Sequence, residues 1–213
     1  NNLNRYAEYK DKIKIIKLKI SKDYKDWKCE NYSRESLQIE IDKLNDNDII
    51  IHSDLDEILN PEKIDSLLEL LETENKPVNC RCSMYAYSFD RQLRRDWYGP
   101  VIAKKYMFEN PQKLYKGNNH KRKDRSHCCR VHENVGWHWT WIGNDERIKN
   151  KVVSCIESQY KDPDEVLQAF KDSDTKTAIN HKCDSYIAEK LDYPESVLNI
   201  ITNYPYWSKN EQN

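Results

Sequence analysis

The feature that most constrains this chain is the segment Ile49-Ile50-Ile51-His52-Ser53-Asp54-Leu55-Asp56-Glu57-Ile58. A β-branched apolar triplet, set off by Asn45, Asp46 and Asn47 and then stopped by three acids, reads as a short buried strand. Helical patterns flank it. Leu37, Ile41 and Leu44 give Glu30 to Leu44 a helical period on the upstream side. Downstream, Pro61 sits at a helix start, Ile64, Leu67, Leu68 and Leu71 carry the pattern through Glu74, and Asn75-Lys76-Pro77 ends it.

Further strands and helices follow from the same reasoning. Lys12 to Ile20 alternates basic and apolar residues, as a strand with one buried face does. Val78 to Phe89, Val101 to Phe108 and Val131 to Trp141 read as additional strands, and Asp145 to Tyr160 as a helix. Beyond Pro163 the pattern predicts helical pieces through Val166, Phe170, Ile179, Ile187 and Val197 to Ile201. Strands alternate with helices early and cluster later, so the expected class is α/β with a mixed sheet flanked by helices. Residues 1–160 are expected to form the core and 161–213 a helical extension packed on it. No repeat and no linker interrupts the chain.

Composition excludes several functions. Among 213 residues, 35 Lys and Arg against 36 Asp and Glu leave a net charge of -1, which does not suit a dedicated nucleic-acid binder. Mean hydropathy is -1.00, and no apolar run approaches the roughly 18 to 20 residues that span a bilayer. An amino-terminal anchor removed ahead of Asn1 is compatible with this. With 4 glycines the chain has neither a P-loop nor a GxGxxG turn. The 7 cysteines are odd in number, and the pairs Cys80/Cys82 and Cys128/Cys129 do not resemble a disulfide framework, which favours a reducing compartment. A serine nucleophile elbow and a papain-like cysteine context are both absent.

Three segments carry chemistry. Asp54 and Asp56, at i and i+2 past a strand end, either share a hard cation beside a diphosphate or merely solvate the strand end and cap the helix near Pro61. Gly136-Trp137-His138-Trp139-Thr140-Trp141 offers tryptophan faces to sugar rings or forms a buried aromatic layer. As a strand it would present Trp137, Trp139 and Trp141 on one face and His138 on the other. The basic run Lys113 to Arg130, with His120, His127, Cys128 and Cys129, has no zinc-ligand spacing and reads as a solvated loop or as a contact to an anion.

Taken in order, these pieces resemble the family 17 glycosyltransferases, which include the beta-1,4-mannosyl-glycoprotein N-acetylglucosaminyltransferases. Asp48 to Ile58 looks like the family's DDIIxxSDxDEI block, with Leu59 where the family has Pro. Trp27, Glu30 and Arg34 resemble its W-x-x-E-x-x-x-R helix start, and Tyr85-x-Tyr87 with Trp97-Tyr98-Gly99-Pro100 its Tyr-rich strand and W-x-G-P turn. Gly136 to Trp141 is similar to its GWH-aromatic-[ST]-aromatic signature, and Glu146 with Lys151 to E-x-x-x-x-K. The resemblance implies a GT-A fold, here lacking the family's first strand and helix, and an inverting transfer from a UDP-sugar to a glycan or glycoprotein, with N-acetylglucosamine as the sugar. It implies Mn2+ or Mg2+ on Asp54 and Asp56 and donor contacts from Arg34, Ser53 and Asp54. Acceptor or sugar contacts would come from Trp97, Trp137, His138 and Trp139, and proton acceptance from Glu146 or Glu57. A catalytically inactive, lectin-like relative is the alternative.

Overall fold

The computed structural model describes residues 2–19, 27–107, 128–155, 161–172, 174, 178, 185–187 and 193–203. A 3-10 helix at Asn2–Tyr9 is followed by α1 (Trp27–Glu35), α2 (Gln38–Ile41), β1 (Ile49–His52), β2 (Glu57–Leu59) and α3 (Ile64–Glu74). Then come β3 (Val78–Tyr87), β4 (Arg91–Lys104), β5 (Cys129–Arg130), β6 (Gly136–Ile142) and α4 (Asp145–Ser154). The order ends with α5 (Pro163–Lys171), β7 (Ser185–Ile187) and α6 (Glu195–Thr202). All described strands join one mixed sheet in the order β1-β4-β3-β6-β2, with β5 beside β3 and β7 beside β4. β3 runs parallel to β5 and β6, and the other pairings are antiparallel. The class is therefore α/β, a mixed sheet with helices on its faces.

One topological fact shapes the site. β1 and β2 stand at opposite ends of the strand order, yet only residues 53–56 join them. Such a link reaches about 18 Å at most. The sheet must curl until its two ends come near one another, and the acid-bearing turn bridges them.

Helices cover both faces of the curl. On one face Leu67 and Leu71 of α3 pack with Val78, Cys80 and Ile102, and farther along Ile148 and Val152 of α4 and Val166 and Phe170 of α5 pack with Met84, Leu93 and Trp141. On the other face Ile41 of α2 meets Val101 and Ala103, while Tyr193, with Val197 and Leu198 of α6, meets Tyr85 and Trp137. Each fully buried Leu, Ile or Phe contributes about 1.5 to 3 kcal/mol. Val166, Phe170 and Tyr193 thus share a core with β3 and β4. Local signals fix α3: the Asn60 side chain accepts from Glu62 N, Pro61 opens the turn, and Asn75 at φ 48 closes it by donating N–H to Leu71 O.

Several expectations are corrected. Residues 13–19 form no strand, because no neighbouring strand pairs with them and Ile13 and Ile15 stay exposed. The Glu30 to Leu44 pattern splits into α1 and α2 around a turn at 36–37. β1 is not buried on both faces: it pairs only with β4 among the described residues, and Ile49 and Ile51 are 43% and 47% exposed. Ile187 lies in β7, not in a helix, since β4 offers an edge there.

The strand expected at Val101 begins ten residues earlier, at Arg91, and Trp97-Tyr98-Gly99-Pro100 is strand, not turn. The register shows why. Asn79 faces Val101 and Arg81 faces Tyr98, so Gly99 and Pro100 together oppose Cys80. This is a β-bulge, where a proline without an N–H is tolerated inside a sheet.

Candidate functional site

The turn that leaves β1 places Ser53 exposed, Asp54 and Asp56 partly exposed, and Leu55 fully exposed at its tip. Glu57 then begins β2 and turns inward, 3% exposed. A buried carboxylate needs hydrogen-bond donors, and Glu57 has them. Its Oε2 accepts from the Asp54 backbone N–H at 2.8 Å, and its Oε1 accepts from the Trp97 indole Nε1 at 2.7 Å. One side chain therefore ties the acid turn to β4 across the inside of the curl. Gly99 makes room for this: a Cβ there would stand 2.2 Å from Glu57 Oε1 and 2.5 Å from Trp97 Nε1.

His138 sits directly opposite Glu57 in the β2–β6 pairing, so both side chains share a face. Its ring stacks on Trp97 with centroids 4.3 Å apart, and its Nε2 lies 3.5 Å from Asp56 Oδ1. The His138 Nδ1 is buried and has no hydrogen-bond partner among the described residues. Lys151 of α4 brings Nζ to 3.6 Å from Asp56 Oδ2, and Arg34 of α1 brings Nη2 to 3.2 Å from Asp54 Oδ1 while also pairing with Glu30. Burial by itself would raise the Asp56 carboxyl, but the His138 hydrogen bond and the charges of His138 and Lys151 prevail and hold it below the ordinary carboxylate value.

The tryptophan strand divides between faces. Trp137, 2% exposed, packs with Tyr85, Phe89 and Tyr193 on the face opposite His138. Trp139 joins that layer and donates its Nε1 to Tyr193 Oη at 3.2 Å; Tyr193 in turn donates to Phe89 O at 2.9 Å. Trp141 does not share their face, contrary to simple alternation. Its φ is 58°, and it is the extra residue between the pairs Ala86–Thr140 and Tyr87–Ile142. That irregularity turns Trp141 to the side of Lys151, whose Nζ lies 5.1 Å from its ring centre.

The structure thus brings Arg34, Asp54, Asp56, Glu57, Trp97, His138 and Lys151 together, while Trp137 and Trp139 line the aromatic layer behind them. Glu146 is exposed in the first turn of α4. Five residues at 100° each set it about 140° around the helix from Lys151. Among the basic run, residues 113–127, with His120 and His127, lie outside the described residues; Cys129 and Arg130 form β5. Cys80 and Cys82 are buried, and Cys29, Cys128, Cys129 and Cys155 are half-buried. Among the described residues no helix is long and apolar enough to cross a membrane. In sequence Gly99 reads only as part of a W-x-G-P turn, without its packing role against Glu57 and Trp97, and Tyr193 carries no local signal.

Among the described residues no group of three or more His, Cys, Asp or Glu side chains is arranged around a metal position. Asp54 and Asp56 are 29% and 35% exposed; Arg34 Nη2 lies 3.2 Å from Asp54, and His138 Nε2 and Lys151 Nζ lie 3.5 and 3.6 Å from Asp56. Carboxylate oxygen is the donor type that hard divalent cations prefer. Compared with protein-family models, curated proteins and solved structures, the chain matches none.

Proposed function

We propose that this chain is a glycosyltransferase of the GT-A type that transfers a sugar from a UDP-sugar to a glycan acceptor by inverting displacement. N-acetylglucosamine is the sugar that the family resemblance implies. The observation that carries this reading is the convergence, on one turn between β1 and β2, of Asp54 and Asp56 with Arg34, Lys151 and the Trp97–His138 stack. Acids flanked by cations suit a diphosphate, and a flat aromatic pair beside them suits a sugar ring.

Asp54 and Asp56 would hold Mn2+ or Mg2+, which when bound supplies charge neutralisation for the departing diphosphate. Arg34 orients Asp54 and stands ready to bind a donor oxygen bidentately. Trp97 and His138 shape the sugar side of the cleft. Glu57 spends both oxygens on Trp97 and on the Asp54 backbone, which makes it a positioning residue, while Glu146 stands exposed on another side of α4 from Lys151 and is not assigned the acceptor proton.

The test is UDP release from UDP-N-acetylglucosamine with Mn2+, with and without an N-glycan acceptor. Acceptor-dependent release, reduced about a hundredfold or more by Asp56→Asn, is the expected result. Glycan binding with no UDP release and no UDP binding would overturn the proposal in favour of a lectin-like role.

A further inference from the structure

Asp56 is held by basic side chains that approach without closing. Lys151 Nζ stands 3.6 Å from Oδ2 and His138 Nε2 3.5 Å from Oδ1. Charge-assisted hydrogen bonds close to about 2.7 to 2.9 Å, so the His138 hydrogen bond is a long one and Lys151 stands outside direct bonding distance. The Lys151 ammonium also rests 5.1 Å from the Trp141 ring centre, within cation–π range. That resting place exists because the φ of 58° at Trp141 turns the indole away from the face of Trp137 and Trp139. Lys151 itself is 34% exposed, on a flexible four-carbon stem that can swing outward.

We propose that Lys151 is a resident counter-ion of Asp56, displaced when a divalent cation binds the Asp54–Asp56 pair, and that its freed ammonium then binds the phosphates of a diphosphate ligand. This rests on reading that pair as a cation site. The physical reason is competition: two cations cannot share one carboxylate oxygen at contact distance without repelling each other. The ammonium neutralises Asp56 while the site is empty, and after displacement it carries its charge toward the newly arrived anion. The Trp141 face, 5.1 Å from Nζ, offers the ammonium a second resting place beside the acid.

The experiment titrates the chain with Mn2+ alone, following free Mn2+ by electron paramagnetic resonance. UDP is then titrated calorimetrically at saturating Mn2+. Lys151→Met keeps an unbranched side chain of similar length and removes the charge. It should bind Mn2+ about fivefold more tightly than wild type, the scale of a partly exposed ion pair, and bind UDP about fivefold more weakly. Lys151→Arg, which keeps the charge, should stay within about twofold of wild type for Mn2+. Equal Mn2+ affinity in Lys151→Met and wild type, or unchanged UDP affinity, would overturn the role of Lys151 alone. Mn2+ binding that is undetectable, or that Asp56→Asn leaves intact, would overturn the cation site and this proposal together.

Discussion

Gly99→Ala tests the packing on which the whole site depends. The added methyl would stand 2.2 Å from Glu57 Oε1, 2.3 Å from Glu57 Cδ and 2.5 Å from Trp97 Nε1, far inside contact distance. Neither neighbour can yield easily, since Glu57 is 3% exposed and bonded at both oxygens. Overpacking a core costs about 1 to 3 kcal/mol, and breaking a hydrogen bond to a buried charge costs a comparable amount, so about 3 kcal/mol is expected. For a domain of this size that lowers Tm by about 6 to 12 °C. Differential scanning calorimetry measures it, and tryptophan emission reports whether the Trp97 indole has lost its acceptor. In a Glu57→Ala background the same glycine change should cost less, because two of the three atoms it strikes are gone and only Trp97 Nε1 remains. A fall in Tm of less than 2 °C for Gly99→Ala in the wild-type background would refute the argument.

Three other outcomes follow from the described contacts. Tyr193→Phe removes the hydroxyl that joins Trp139 to Phe89 O and should destabilise the chain by about 1 to 2 kcal/mol in urea unfolding; burial pushes the Tyr193 phenol up, so absorbance titration of wild type against Tyr193→Phe should show the Tyr193 contribution only above the ordinary tyrosine range. Because the Asp56 carboxyl is held below its ordinary 3.8, its charge stabilises the fold fully above that value and less as pH falls through the native one, so the stability gap between wild type and Asp56→Asn should be open at pH 7 and narrow progressively as pH falls below 3.8. Burial raises the Cys82 thiol, with the charges of Cys80 and Glu57 adding to it, so native-state alkylation followed by mass spectrometry should label Cys29 and Cys128 and spare Cys80 and Cys82 until denaturant is added.

What the sequence by itself determined is local. The Ile49 to Ile51 triplet stopped by acids, the capped helix after Asn60-Pro61 and the alternation of Val78 to Tyr87 each carry their period and their punctuation within a few residues, so strand, helix and strand were all legible. The residues gathered at the acid turn were also visible as types: Asp54, Asp56, Trp97 and His138 stood out by density and spacing. Tertiary structure decided which of them face one another. Alternation predicts one face for Trp137, Trp139 and Trp141, but a left-handed backbone at Trp141 sends it to the side of Lys151, and backbone irregularity of that kind depends on the neighbouring strand. Gly99-Pro100 has the chemistry of a turn and serves as a bulge, because β3 continues past it on one side and Glu57 needs the space on the other. Lys12 to Ile20 has the alternation of a strand, yet residues 13–19 form none, since a strand requires a partner and local pattern cannot supply one. Glu57 shows the limit most plainly: in sequence it is the third acid among four residues, and only the curl that brings β2 back to β4 makes it the buried anchor of the turn.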